Sequence, residues 1–115
     1  MPFLAVTTNH PIPADQRTEI LKRLSATVAQ ILGKPEQYVM VSLQTNPDML
    51  FAGNAEPLAY LELKSIGLPV DKTTELSATL AAAMKDGVSI PADRVYVEFA
   101  NAERHMWGWN GRTFS

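Results

Sequence analysis

The chain has 115 residues, of which 46% are hydrophobic and 19% charged, with 8 Pro and 6 Gly. That length suits one domain with a core, and the composition excludes collagen, low-complexity disorder and a charged coil. A net charge of -2 and a pI near 5.6 give no excess of positive charge that would favour binding to nucleic acid or an anionic membrane. The absence of cysteine excludes disulfides and thiol chemistry.

The N-terminal segment resembles neither a signal peptide nor a membrane anchor. Residues 1–9 carry no basic leader and no long apolar run. No later segment approaches the roughly 20 apolar residues that a membrane helix needs. We therefore expect a cytoplasmic protein without membrane partners, and release by a route that needs no signal peptide stays open.

The first half of the chain predicts a strand, a helix and a second strand. Residues Phe3 to Thr8 read as extended and end at the breaker cluster 9–13. Apolar residues recur every three or four positions from Asp15 to Leu32, as in an amphipathic helix, and Gly33 ends it. Alternation then predicts a strand from Tyr38 to Leu43.

The second half repeats this order. Pro13 aligns with Pro69 and Pro35 with Pro91, both at an offset of 56 residues. An internal repeat of this kind predicts the same supersecondary unit twice. The repeated elements are a strand from Leu58 to Lys64, a helix from Asp71 to about Asp86 and a strand from Val95 to Phe99. The aromatic tail after Asn101 leaves room for one more short strand.

Two consecutive β-α-β units predict an α/β (α+β) plait. Right-handed crossovers put both helices on one face of a four-stranded mixed sheet, in a ferredoxin-like arrangement. The chain is then a single domain over 1–115, with an internal pseudo-repeat of about 1–45 and 57–101. The residues expected to face the helices are Val39, Val41, Leu43, Val95, Val97 and Phe99.

The open face of this sheet is expected to be apolar. Its predicted members are Leu4, Val6, Tyr38, Met40, Leu58, Tyr60 and Tyr96. An exposed apolar patch of that size usually marks an interface, so the pattern predicts a symmetric oligomer that buries it.

Familiar catalytic motifs are absent, and no residue set predicts a metal or a cofactor. His10 and His105 lack the spacing of a metal site or a triad and are interpreted as loop or surface residues. Glu98 falls on the open face, where a rim charge or an oligomer salt bridge explains it. Pro2 stands out, because removal of Met1 would leave a secondary amine whose pKa falls in an apolar pocket. By itself, a proline at this position is usually no more than a permissive N-terminal residue.

Five segments in order resemble the macrophage migration inhibitory factor family, a tautomerase family, along the whole chain. They are residues 1–3, 33–38, 64–67, 89–96 and 108–114. The resemblance implies a homotrimer and a keto-enol tautomerase, an isomerase of the phenylpyruvate or dopachrome type acting on a small aromatic keto acid. It makes Pro2 the catalytic base and Lys34 the anchor of the substrate carboxylate. A cation at a helix C-terminus explains Lys34 equally well.

The resemblance also implies six further pocket residues: Ser65, Ile66, Tyr38, Tyr96, Trp109 and Phe114. The Ile66 amide would donate to the substrate, and Tyr96 would come from the adjoining subunit. Ordinary structural explanations stay open for all six, namely a strand end, sheet packing and burial of a C-terminal strand.

Departures from the family limit what carries over. Leu58-Ala59-Tyr60-Leu61 stands where the animal cytokine has Cys-x-x-Cys, so thiol oxidoreductase activity is not expected. Glu98 replaces an asparagine and Trp107 a smaller apolar residue, which adds charge and bulk near the pocket. Two other interpretations stay open: a trimeric, cytokine-like signalling protein with a vestigial pocket, whose receptor the sequence does not identify, and a ferredoxin-like metabolite-sensing module that works with Met1 retained.

Overall fold

The computed structural model describes all 115 residues, Met1–Ser115. The elements in chain order are strand β1 Phe3–Thr8, helix α1 Ala14–Leu32, strands β2 Met40–Thr45 and β3 Ala59–Ile66, helix α2 Thr73–Val88, strand β4 Val95–Ala102, and the short strands β5 Gly108–Trp109 and β6 Arg112–Thr113. A single 3₁₀ turn precedes each of β2, α2, β4 and β5. The tail therefore adds a small hairpin.

Strands β1 to β4 form one mixed sheet in the order β2-β1-β3-β4. β1 runs parallel to β2 and β3 parallel to β4, whereas the central pair β1 and β3 is antiparallel. The predicted plait of two helices on a four-stranded mixed sheet is confirmed. Within it the two β-α-β units lie side by side, each with its own strands adjacent, so they are not interleaved as in a split β-α-β arrangement.

The core lies between the helices and one face of the sheet. Each helix buries one stripe of apolar residues spaced three or four apart: Ile20, Leu24 and Val28 on α1, and Leu76, Leu80 and Met84 on α2. The six residues predicted to face the helices are partly buried against this core, as expected. Neither helix combines the length and the apolarity needed to cross a membrane.

The open face differs from the predicted one. Leu4 and Val6 belong to the helix-side core, and Leu58 is also buried. Tyr38 lies in a 3₁₀ turn before β2 and is not part of the sheet. The predicted phase of β1 was wrong because Leu4 pairs with residues of the helix-facing set, and a shift of one residue exchanges the two faces of a strand.

Polar side chains occupy much of this open face. One row across the sheet consists of Ser42, Ala5, Glu62 and Glu98, which are neighbours in register. Met40, Tyr60 and Tyr96 are the only members of the predicted patch that lie on it. The open face is therefore not the continuous apolar surface from which the sequence pattern predicted an oligomer.

One arginine fixes the loop between β2 and β3. The Arg94 guanidinium donates to the carbonyls of Phe51 at 2.8 Å, Glu56 at 2.9 Å, Asn54 at 3.2 Å and Pro57 at 3.3 Å. It also lies 5.0 Å from the centroid of the Phe51 ring. That ring contacts Tyr96, with the ring centroids 4.7 Å apart. The loop is thereby held beside the start of β4.

Candidate functional site

A cavity of about 350 Å³ opens at the end of the sheet where β1 begins. Three separate parts of the chain surround it: residues 1–3, residues 37–40 and the C-terminal hairpin. Eight of its 11 lining residues are hydrophobic. Its volume and its mostly apolar lining are typical of a small-molecule site.

Pro2 lines this cavity and is fully buried, one residue before β1. Its carbonyl accepts a hydrogen bond of 3.0 Å from the Met40 amide, so the parallel pairing of β1 with β2 holds the ring in place. The α-amino group of Met1 has a pKa below its ordinary value, first because it is partly buried and then because of the charge of Lys34. While Met1 is attached, the Pro2 nitrogen is an amide.

Tyr38, Trp109 and Phe114 form an aromatic wall of the cavity. Tyr38 packs edge-on against Trp109, with ring centroids 5.8 Å apart and an angle of 79° between the planes. Trp109 stacks with Phe114 at 6.0 Å and 17°. Arg104 holds Phe114 in position, because its Nε donates to the Phe114 carbonyl over 3.0 Å. The structure thus brings three predicted aromatic residues together with Pro2.

Lys34 follows the end of α1 directly. The helix ends at Gly33, whose φ of 62° is left-handed, and the Lys34 amide donates back to the Ala29 carbonyl over 3.0 Å. This pattern is a Schellman cap, which fixes the backbone of Lys34. The Lys34 ammonium takes part in none of the three salt bridges. It does not line the cavity itself, but its charge acts on the amine at the cavity.

Ser65 and Ile66 end β3 at the same end of the sheet, because Phe3 pairs with Lys64. Ser65 is fully buried, and its hydroxyl donates to the Ile66 carbonyl over 3.2 Å. Ile66 is partly buried. Neither residue lines the cavity within one chain.

Tyr96 lies far from the cavity in one chain. Tyr96 pairs with Tyr60, and Tyr60 pairs with Thr7. Thr7 follows Pro2 by five residues of extended chain, which is roughly 17 Å at the usual rise per residue. Its side chain is 65% exposed. A contribution of Tyr96 to this cavity therefore requires a second copy of the chain.

Sequence reasoning did not assign six of the lining residues to the site: Met1, Phe3, Gln37, Val39, Met40 and Gly108. Met40 pairs directly with Phe3, so strand register was the signal that would have placed it beside Pro2. Trp107, which was expected near the pocket, also lines the cavity. It lies two residues before Trp109, which puts both side chains on the same face of an extended segment.

The remaining polar candidates lie elsewhere. His105 contacts Glu103 at 3.3 Å on the surface, and neither His105 nor His10 lines the cavity. No group of three or more His, Asp or Glu side chains lies close enough together to hold a metal ion.

Comparison with known proteins places the whole chain in one family. The family model for macrophage migration inhibitory factor matches residues 1–115. A macrophage migration inhibitory factor homolog of Brugia malayi is 36% identical over 99% of both chains, and the macrophage migration inhibitory factor of Rattus norvegicus is 34% identical over the full length of both. The crystal structure of a homologue from Prochlorococcus marinus is 42% identical, covers 98% of this chain and 99% of its own, and superposes with a TM-score of 0.90. The chain therefore belongs to the macrophage migration inhibitory factor family.

Proposed function

We propose that this chain is a keto-enol tautomerase that uses the secondary amine of Pro2 as its general base once Met1 has been removed. The observation that carries the proposal is the position of Pro2, fully buried at an aromatic-walled cavity of about 350 Å³. Membership of the family supports an isomerase. The proposed substrate is a small aryl keto acid of the phenylpyruvate type.

The proposed reaction is a proton shift. Burial disfavours the ammonium form of an amine, so a proline amine in this cavity is neutral enough to act as a base. The pyrrolidine ring limits the directions in which the lone pair points. The amine removes a proton from the carbon next to the carbonyl and returns it to the carbonyl oxygen, which converts the keto acid to its enol. Atoms and charge balance without a cofactor.

The other candidate residues take binding roles in this proposal. Lys34 anchors the substrate carboxylate, since its ammonium has no carboxylate partner in the chain. The Ile66 amide stabilises the developing enolate oxygen, and Ser65 supports that strand end. The aryl ring packs on the wall formed by Tyr38, Trp109 and Phe114. A homotrimer supplies Tyr96 from an adjoining subunit.

The experiment that tests this proposal measures phenylpyruvate tautomerisation by protein whose loss of Met1 has been verified by intact mass. Pro2→Ala is expected to lower kcat/KM by about 100-fold, the usual effect of losing a positioned base. Lys34→Ala is expected to raise KM by about tenfold with little change in kcat. Lys22→Ala, which removes an exposed cation on α1, is the control and is expected to behave as wild type. Unchanged kcat/KM in both test variants would dismiss the assignment.

A second candidate is a cytokine-like signalling protein with a vestigial pocket. Membership of the family supports this candidate as well as the enzyme. This candidate predicts that the protein turns over phenylpyruvate no faster than buffer even when intact mass shows that Met1 has been removed. Intact mass and the same assay decide between the two candidates.

A further inference from the structure

We propose that Arg112 gives the cavity a second anion-binding position, so that the preferred substrate is an aryl keto acid with a further carboxylate on its ring. The inference rests on the proposed function, because it names the substrate class of the same site.

The hairpin places Arg112 on the same face as residues of the aromatic wall, although Arg112 does not itself line the cavity. β5 and β6 are joined by a turn at 110–111, whose φ angles of 54° and 75° suit a two-residue hairpin. Trp109 pairs with Arg112, and side chains directly opposite each other lie on the same face. The Phe114 amide donates to the Trp107 carbonyl over 3.3 Å, so Trp107 and Phe114 form the next pair of the hairpin but one. Because faces alternate along a strand, they lie on the same face as Trp109 and Arg112. Arg112 thus shares a face with three residues that line the cavity.

The guanidinium lies against the indole of Trp109. Its central carbon is 5.9 Å from the ring centroid, within the range of a cation-π contact. Arg112 itself is exposed, and Trp109 is 47% exposed. The guanidinium is therefore held at the open side of the aromatic wall, where a ligand in the cavity meets solvent.

Arg112 is the one arginine of five whose guanidinium makes no hydrogen bond. The other four all donate: Arg17, Arg23, Arg94 and Arg104. Arg112 also takes part in none of the salt bridges. The N–H groups of its guanidinium are therefore available to a ligand, and two of them, arranged as a fork, can donate in parallel to the two oxygens of a carboxylate.

Two unpaired cations therefore flank the aromatic wall. Lys34 precedes the lining residue Gln37 by three positions and its charge acts on the Met1 amine, whereas Arg112 lies on the hairpin side next to Trp109. A ligand that satisfies both has a carboxylate at each end and an aromatic ring between them. A keto acid supplies the first carboxylate and a para-substituted ring supplies the second.

The test compares phenylpyruvate with (4-carboxyphenyl)pyruvate in wild type, Arg112→Gln, Arg112→Lys and the control Lys22→Gln. Wild type is expected to prefer the dicarboxylate by about tenfold in kcat/KM. This factor corresponds to one charge-assisted hydrogen bond that is weakened because Arg112 is exposed to solvent. Arg112→Gln abolishes the preference, and Arg112→Lys keeps part of it because the fork is lost but the charge stays. Lys22→Gln keeps all of it. High salt reduces the preference in wild type.

Binding without turnover separates this inference from the proposed function. Quenching of tryptophan fluorescence reports the Kd of 4-carboxyphenylacetate and of phenylacetate, neither of which carries a keto group. If turnover is absent but the Kd ratio depends on Arg112, the tautomerase proposal fails and the second anion position stands. If phenylpyruvate turnover depends on Pro2 while both ratios are the same in wild type and Arg112→Gln, the second anion position is refuted.

Discussion

Lys34 has two effects in the proposed site, since its charge holds a carboxylate and also acts on the base. A base must be neutral to take a proton, so kcat/KM falls as pH drops below the pKa of the amine. After burial, the charge of Lys34 is the second cause that lowers the pKa of the Met1 amine, and the Pro2 nitrogen of the processed chain lies one residue from that group. Lys34→Gln removes that charge, so the pKa rises and the acid limb of the pH profile moves to higher pH.

The measurement is a pair of pH–rate profiles for wild type and Lys34→Gln, with Lys22→Gln as the matched loss of a distant charge. An acid limb that stays in place in Lys34→Gln, or that moves to lower pH, contradicts the electrostatic coupling. If the acid limb moves equally in Lys22→Gln, the shift comes from the net charge of the protein and not from the position of Lys34.

Tyr60 titrates abnormally on the open face of the sheet. Its hydroxyl donates to Glu98 Oε1 over 3.1 Å. Loss of solvation, then hydrogen bonds with Glu98 and Glu62 and their charges, raises the pKa of Tyr60 to about 12. Because the pKa in the fold is raised, the stability that protonated Tyr60 contributes is complete below pH of roughly 10 and is lost as pH rises through 12.

An alkaline absorbance titration checks this prediction. One of the three tyrosines is expected to ionise near pH 12, and Glu98→Gln is expected to move that transition to lower pH. Identical titration curves for wild type and Glu98→Gln would contradict the pairing of Tyr60 with Glu98.

At the scale of elements, the two helices end at positions related by the sequence repeat. Gly33 after α1 and Ser89 after α2 both adopt left-handed backbone, with φ of 62° and 60°. Glycine adopts this conformation without strain, whereas in any other residue the Cβ lies too close to the backbone and raises the free energy of the folded state. Gly33→Ala should therefore lower the free energy of unfolding by about 1 kcal/mol, and Ser89→Gly should raise it by about 0.5 kcal/mol.

Denaturant unfolding of the two variants measures both effects. No atom lies within 4 Å of the Cβ that Gly33→Ala would add, so the expected loss comes from the backbone and not from a clash. Changes of the same sign in both variants would contradict the capping argument.

Helix periodicity predicted the elements best. α1 was predicted from Asp15 and begins at Ala14, and α2 was predicted from Asp71 and begins at Thr73, after a 3₁₀ turn. β1 shows why strand faces were harder to predict. Residues 3–6 are all apolar, so alternation does not say which side faces the helices, and only pairing with β2 and β3 decides it.

At the scale of the whole molecule, the candidate site could be assembled from the sequence only through family resemblance. Pro2, Tyr38 and Trp109 come from three distant segments, and no local pattern predicts that they meet. The tail was predicted to be aromatic with room for one short strand, so the two-stranded hairpin that places Arg112 next to Trp109 was not predicted. The polar open face also removes the argument for oligomerisation that the sequence pattern offered.

Assembly is nevertheless required if Tyr96 completes the proposed site, because Tyr96 lies at the far end of the sheet in its own chain. Light scattering should give about three times the 12.6 kDa mass of one chain. Co-refolding Pro2→Ala with Tyr96→Ala should restore activity above the sum of the two separate variants, because some sites then combine an intact base with an intact tyrosine from a neighbour. Activity equal to that sum would place Tyr96 outside the site.

Both termini of the chain meet at the same cavity, since Met1, Pro2 and Phe114 all line it. A purification tag joined ahead of Pro2 would acylate its nitrogen, and one joined after Ser115 would start a single residue from the aromatic wall. If Pro2 is the base, as proposed, material that carries an uncleaved fusion at its N-terminus would show little tautomerase activity even when correctly folded. Only a leader that is cut away to expose Pro2, with nothing appended behind Ser115, leaves the cavity as its own residues build it.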